Sequence, residues 1–110
     1  MESISLDEFK KAEIRVGEIV SAEKVEGADK LLRLMVRFGE EERQIVSGIA
    51  LYYPDPGALL GVKCAFAYNL APRTIRGLES NGMILAATGE NGVFSLLRAD
   101  PNLPSGSVIR

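Results

Sequence analysis

Histidine and tryptophan are absent from this 110-residue chain, and cysteine occurs once, as Cys64. Lack of histidine removes the commonest general acid/base and metal ligand. One cysteine allows neither an internal disulfide nor the usual thiolate zinc site. Ser47, in Val46-Ser47-Gly48, has no imidazole to activate it. No glycine-rich loop ends in Lys-Ser or Lys-Thr to cradle nucleotide phosphates. Catalytic residues, a metal and a cofactor are therefore all expected to be absent. The block Glu40-Glu41-Glu42 reads as a solvated turn rather than as acid/base machinery, which would need burial. No apolar run approaches the roughly 18 residues of a membrane span, and Met1-Glu2-Ser3-Ile4-Ser5 carries acid where a leader would carry base. A cytoplasmic protein with no membrane partner is expected, and the start at Met1 favours a complete protein. Cys64 lies in the apolar run Val62-Lys63-Cys64-Ala65-Phe66, the setting of a packed thiol.

Positive charge is also scarce: 13 Lys and Arg stand against 15 Asp and Glu, for a net charge of −2. Phosphate affinity comes from basic side chains displacing condensed counterions, so a nonspecific nucleic-acid binder is excluded and any RNA site must be local. The charges are unevenly placed. Lys63, Arg73 and Arg76 stand in a stretch where Glu79 is the sole acid between Asp55 and Glu90. Such asymmetry permits a positive face on a mildly acidic protein.

What the chain does contain is 46% hydrophobic residues, enough for one ordinary core. No repeat or linker divides it, so residues 1–110 are expected to form a single domain. Ser5-Leu6-Asp7-Glu8 has the spacing of a capping box for a short helix anchored by Phe9. Ile14 to Val25 reads as a long strand whose alternation slips at Gly17-Glu18, predicting a bulge there. From Leu32 to Phe38, Leu32, Leu34, Val36 and Phe38 share one face, and Arg33, Met35 and Arg37 the other. Gly39 and the three glutamates then predict a hairpin loop longer than the tightest types, leading into Arg43 to Val46. A short helical turn is expected after Ser47, closed by Pro54-Asp55-Pro56-Gly57. Further strands are expected at Lys63–Tyr68, Met83–Thr88, Val93–Arg98 and Ser107–Ile109, with a polar loop from Asn69 to Gly82. Five or six short strands suit a five-stranded OB-type barrel or an SH3-like barrel, an all-β class in either case.

Five segments carry a family pattern: Arg15-Val16-Gly17-Glu18-Ile19, Ala28-Asp29-Lys30-Leu31, Gln44-Ile45-Val46-Ser47-Gly48-Ile49-Ala50, Asn69-Leu70-Ala71-Pro72-Arg73, and Arg76-Gly77-Leu78-Glu79-Ser80-Asn81-Gly82-Met83-Ile84-Leu85-Ala86-Ala87. In this order they resemble the structure-specific tRNA-binding domain. That family includes free-standing tRNA-binding proteins, methionyl-tRNA synthetase C-terminal domains or β subunits, and the CsaA-type chaperones. The resemblance runs from about Phe9 to the C-terminus. Val25-Glu26-Gly27 departs from it, standing where many members carry His-Pro before Ala-Asp-Lys. The resemblance implies an OB fold with a short N-terminal helix and C-terminal extension strands, a homodimer, tRNA as partner gripped at its outer corner, and an aminoacyl-tRNA synthetase as partner in some branches.

The residues singled out for RNA are Lys30, Arg33, Asn69, Arg73, Arg76, Ser80 and Met83. Lys30 lies in the Ala-Asp-Lys motif as a phosphate contact, or else as a solvated turn lysine beside Asp29. Arg33, with Arg37 beyond it, lies on the outward face of a strand, where it can track a backbone or merely solvate the surface. Asn69 begins a loop and can serve turn amides; the resemblance adds an RNA hydrogen bond. Arg73 and Arg76 sit between Pro72 and Gly77, where guanidinium forks suit phosphate oxygens. Ser80 and Met83 match a Ser-x-Gly-Met motif, with Ser80 as a donor to phosphate or ribose and Met83 packing on a base, unless it points into the core. With four Phe and three Tyr, the chain has few rings for stacking successive bases, which favours recognition of folded RNA by shape. A chaperone-like protein-binding module and a structural subunit acting through a partner are the competing expectations.

Overall fold

The computed structural model describes residues 1–110. One four-residue helix, α1 (Leu6–Phe9), precedes ten strands: β1 (Ile14–Val25), β2 (Ala28–Phe38), β3 (Glu41–Ser47), β4 (Lys63–Ala67), β5 (Arg73–Ile75), β6 (Leu78–Ser80), β7 (Met83–Ile84), β8 (Ala86–Thr88), β9 (Phe94–Leu96) and β10 (Val108–Ile109). The architecture is all-β, as expected. An antiparallel sheet runs in the order β3-β2-β1-β4-β7 with β10 added against β1, and β5-β6 and β8-β9 form separate two-stranded ladders.

The capping box is present. Ser5 Oγ accepts from Glu8 N at 3.1 Å, and the Glu8 carboxylate accepts from Ser5 N at 3.3 Å. Phe9 does not anchor the helix in the core: α1 buries no residue and Phe9 is 50% exposed. The alternation in β2 holds, with Leu32, Leu34, Val36 and Phe38 buried and pointing into the core beside Ile19, Ile45 and Phe66. Each such side chain contributes roughly 1.5–3 kcal/mol through removal from water. Cys64 is fully buried in the same cluster, as a packed thiol should be.

Several boundaries differ from expectation. The bulge in β1 falls at Val20 rather than Gly17-Glu18, because the register passes from Ile19↔Val36 to Ser21↔Met35. Gly17 has another role. A Cβ there would lie 2.5 Å from Val36 Cγ1 and 2.8 Å from atoms of Phe38 and Phe66, so the missing side chain admits the core rings. The β2–β3 loop is only Gly39-Glu40: Phe38 already pairs with Glu41, which places Glu41 and Glu42 in the strand. Residues 69–82 are not a plain loop but contain the β5–β6 hairpin, turned by Arg76 and Gly77 with φ of 53° and 80°. Two successive positive φ values are the signature of a tight type I′ turn. The strand expected over Met83–Thr88 breaks at Leu85, whose N–H donates to Ala65 O and whose carbonyl accepts from Leu97 N. Beyond the expected helical turn at Ala50–Tyr52, a second 3₁₀ turn runs from Pro56 to Leu59, capped by Asp55.

The segment joining β6 to β7 meets β3. Asn81 N donates to Gln44 O at 2.8 Å, and Val46 N donates to Ser80 Oγ at 3.0 Å. These bonds bring the β5–β6 hairpin close to the β1–β2 tip.

Candidate nucleic-acid interface

Four ion pairs neutralise arginines: Arg15 with Glu13, Arg33 with Glu23, Arg37 with Glu42 at 3.2 Å, and Arg43 with Glu41 at 3.0 Å. Two follow from register and one from strand alternation. Glu23 lies opposite Arg33 across β1–β2 and Glu42 opposite Arg37 across β2–β3, while Glu41 and Arg43 share one side of β3, two residues apart. Arg33 is thus ion-paired, and the outward track of Arg33 and Arg37 is electrically compensated.

Of the nine Lys and Arg side chains outside these pairs, Lys24, Lys30 and Arg76 stand together elsewhere. Lys30 is exposed near the start of β2 and lines a cleft with Gly27, Ala28, Leu31, Ile75 and Arg76. Arg76, at the hairpin tip, donates through Nη2 to Gly27 O at 3.3 Å. On its other side Arg76 faces an adjoining cleft with Lys24, Val25, Arg33 and Leu78. Arg76 therefore stands between two clefts, each containing a free lysine. Asp29, Glu23 and Glu26 line these clefts too and moderate the charge. Arg73 is exposed on the same hairpin, opposite Ser80 and free of any ion pair. Sequence reasoning missed Lys24; its one signal is its position as an exposed cation beside a turn.

The other expected contacts fare differently. Met83 is 43% exposed on β7, its side chain directed away from the core that Ile84 enters. Asn69 has both amide groups engaged, Oδ1 accepting from Glu13 N at 2.8 Å and Nδ2 donating to Lys11 O at 2.7 Å. Its amide clasps the segment entering β1. Ser80, expected as an RNA donor, is 2% exposed, accepts from Val46 N and donates to Gly82 O at 3.2 Å. A buried amide needs that acceptor, so the hydroxyl belongs to the fold.

A second polar cluster surrounds Tyr68. Its hydroxyl donates to Glu41 Oε1 at 2.5 Å, and the Arg43 and Arg15 guanidiniums lie 3.7 and 4.6 Å from its ring centre. The Tyr68 hydrogen bond, followed by Arg43, holds the Glu41 carboxyl below its ordinary pKa, and the same bond raises that of Tyr68. Burial pushes the Cys64 thiol up to about 11, which keeps it protonated and unreactive. No group of three or more Cys, Asp or Glu side chains is arranged to hold a metal ion. No helix is long and apolar enough to cross a membrane.

Residues 14–108 match the family model described as "Putative tRNA binding domain". The methionine–tRNA ligase of Caldanaerobacter subterraneus is 51% identical over 106 residues, covering 96% of this chain and 16% of that protein. The corresponding ligase of Methanocaldococcus jannaschii is 46% identical over 110 residues, 100% of this chain and 17% of the ligase. The chain thus spans about one sixth of the length of these relatives. Among solved structures, a methionyl-tRNA synthetase-related protein from Pyrococcus horikoshii superposes with a TM-score of 0.93 at 41% identity, covering all of both chains. The chaperone CsaA from Bacillus anthracis superposes with a TM-score of 0.87 at 26% identity, covering 99% of this chain and 100% of its own. With a family model matching most of its length and relatives of this similarity, the chain belongs to the tRNA-binding domain family.

Proposed function

We propose that residues 1–110 form one OB-type domain, catalytically inert and cytoplasmic, that grips the outer corner of folded tRNA by backbone and shape. The observation that carries this reading is the grouping of three of the nine cations outside ion pairs in adjoining clefts. Lys24, Lys30 and Arg76 share the clefts between the β1–β2 turn and the β5–β6 hairpin, whereas the outward arginines of β2 are neutralised. Phosphates spaced along an RNA backbone suit such separated point charges, and specificity then comes from where the tips sit rather than from base edges. Arg73 and Met83 extend the contact along the hairpin and β7; Arg33, Asn69 and Ser80 support the fold beneath it.

The protein acts as a homodimer in this reading. Leu6, Phe9 and Ala12 from the N-terminal segment and Val108 and Ile109 from β10 line one largely apolar groove, which a second copy would cover. Two weak sites on a rigid dimer strengthen one another through effective concentration. Similarity to methionine–tRNA ligases supports a role as a tRNA-holding auxiliary of that synthetase.

Likeness to the chaperone CsaA and the same apolar groove favour a second reading, in which the groove holds unfolded chains. Titration of labelled folded tRNA, unfolded tRNA and an apolar peptide at several salt concentrations separates the two. The tRNA reading expects salt-sensitive binding that strongly prefers folded over unfolded tRNA. Salt-resistant peptide binding with equal or absent binding of the RNAs would replace it with the chaperone reading.

A further inference from the structure

Tyr52 lines none of the cation clefts, but its 3₁₀ turn borders one with Lys24. Its ring lies parallel to Phe94, with centroids 4.0 Å apart and an 8° interplanar angle, and Tyr53 meets Phe94 edge-on. Phe94 packs against the core, so the pair is held from beneath, while Tyr52 remains 50% exposed. The 3₁₀ turn that carries Tyr52 also borders the β1–β2 tip: Ala50 and Leu51 line a shallow cleft with Lys24, Val25 and Asp29. The half-exposed ring thus belongs to the same turn as residues that line a cleft with Lys24. A nucleotide presents the complementary pair, a planar base and an anionic phosphate.

We propose that Tyr52, backed by Phe94, is a stacking platform for one unpaired nucleobase of the bound RNA, with the adjacent phosphate directed toward Lys24. This rests on the RNA reading above and deepens it. Shape recognition alone does not require a ring at this position; a stacked base adds affinity without base-edge readout, because every base has a π-face. Charge complementarity with Lys24 favours a nucleotide over an apolar peptide as the occupant.

The test uses the full chain, folded tRNA, and an adenine tetranucleotide carrying 2-aminopurine, whose emission is quenched on stacking. Wild type and Tyr52→Phe should quench the probe alike. Tyr52→Ala should lose the quenching and bind folded tRNA about tenfold more weakly, with an unchanged salt slope. Tyr52→Leu, which still covers Phe94, should behave as the alanine variant does and so separates stacking from loss of fold. Wild-type quenching and tRNA affinity in both Tyr52→Ala and Tyr52→Leu overturn the platform. If Arg73→Ala/Arg76→Ala weakens tRNA binding in the same series, the tRNA reading survives that result. Loss of apolar-peptide binding in Tyr52→Ala, with nucleotide binding intact, would assign the shelf to a protein partner and also overturn it. A wild-type protein that binds neither RNA overturns both readings together.

Discussion

The β2–β3 face and the two hairpin tips carry the same kinds of basic side chain in opposite electrostatic conditions. On the β2–β3 face, strand register sets Glu23 beside Arg33 and Glu42 beside Arg37. At the two hairpins Lys24, Lys30, Arg73 and Arg76 have no carboxylate within ion-pair distance. Regular pairing in a sheet offers every outward side chain a cross-strand neighbour, and here that neighbour is acidic. A turn offers none. Net charge therefore says little about where this protein can meet a polyanion; the count of unpaired cations per region says more.

The strongest way to break that comparison is to delete the free arginines and the paired ones separately. Each phosphate contact releases about 0.9 counterion on a duplex, which at 0.1 M salt corresponds to just under a tenfold gain in affinity. Arg73→Ala with Arg76→Ala should then weaken folded-tRNA binding by about a hundredfold and lower the salt slope by about two. Arg33→Ala with Arg37→Ala should change both by much less, since those charges are already compensated. Salt-dependent fluorescence titration reads affinity and slope together. Equal losses from the two pairs would mean that the ion pairs open on binding and that the comparison has no functional content.

A smaller effect, on stability rather than binding, is expected at Ser80. Replacing it with alanine leaves the buried Val46 N–H without its acceptor and Gly82 O without its donor, a cost of roughly 1–3 kcal/mol. The melting temperature should fall by several degrees. Well below the melt, tRNA affinity should match wild type. Weakened binding by a fully folded Ser80→Ala protein would move the hydroxyl back into the RNA contact.

Ser80 also marks the limit of what could be read locally. The alternation of β2 was legible because its pattern is set by one buried face, and the capping box because its partners are three residues apart. Nothing near Ser80 in the chain announces that Val46, thirty-four residues earlier, needs its oxygen. The β5–β6 hairpin escaped for a different reason: its strands are three residues long and its turn is Arg76-Gly77, where the familiar signal has Asn or Asp first. The bulge was expected from the disturbed alternation at Gly17, but that glycine answers to the Phe38 and Phe66 rings, and the extra residue is Val20. Lys30, Arg73 and Arg76 could be picked from motifs, while their proximity to Lys24 is a tertiary fact. The partners of Asn69 and Arg33, the backbone of residues 11–13 and Glu23, likewise become neighbours only in the fold.

The smallest effect concerns the acid that straddles both descriptions. Glu41 was expected in a solvated turn, yet it sits in β3 bonded to Tyr68 and Arg43. Its pKa is lowered in the folded protein, chiefly by the Tyr68 hydrogen bond, so the bond stabilises the fold above the ordinary carboxylate pKa and is lost as pH falls through the depressed value. The Tyr68 pKa is raised by the same bond; that contribution is present below the ordinary tyrosine pKa and is lost as pH rises through the raised one. The stabilisation should therefore hold across the neutral range and fade at both ends. Because both groups are solvent-accessible, screening keeps it slight. Thermal melts across pH on wild type and Glu41→Gln should differ at neutrality and converge in acid, where Glu41 accepts its proton and Arg43 loses its compensating charge. Parallel curves down to the lowest pH would show that the carboxylate charge plays no part, and that Arg43 is held by the Tyr68 carbonyl and ring alone.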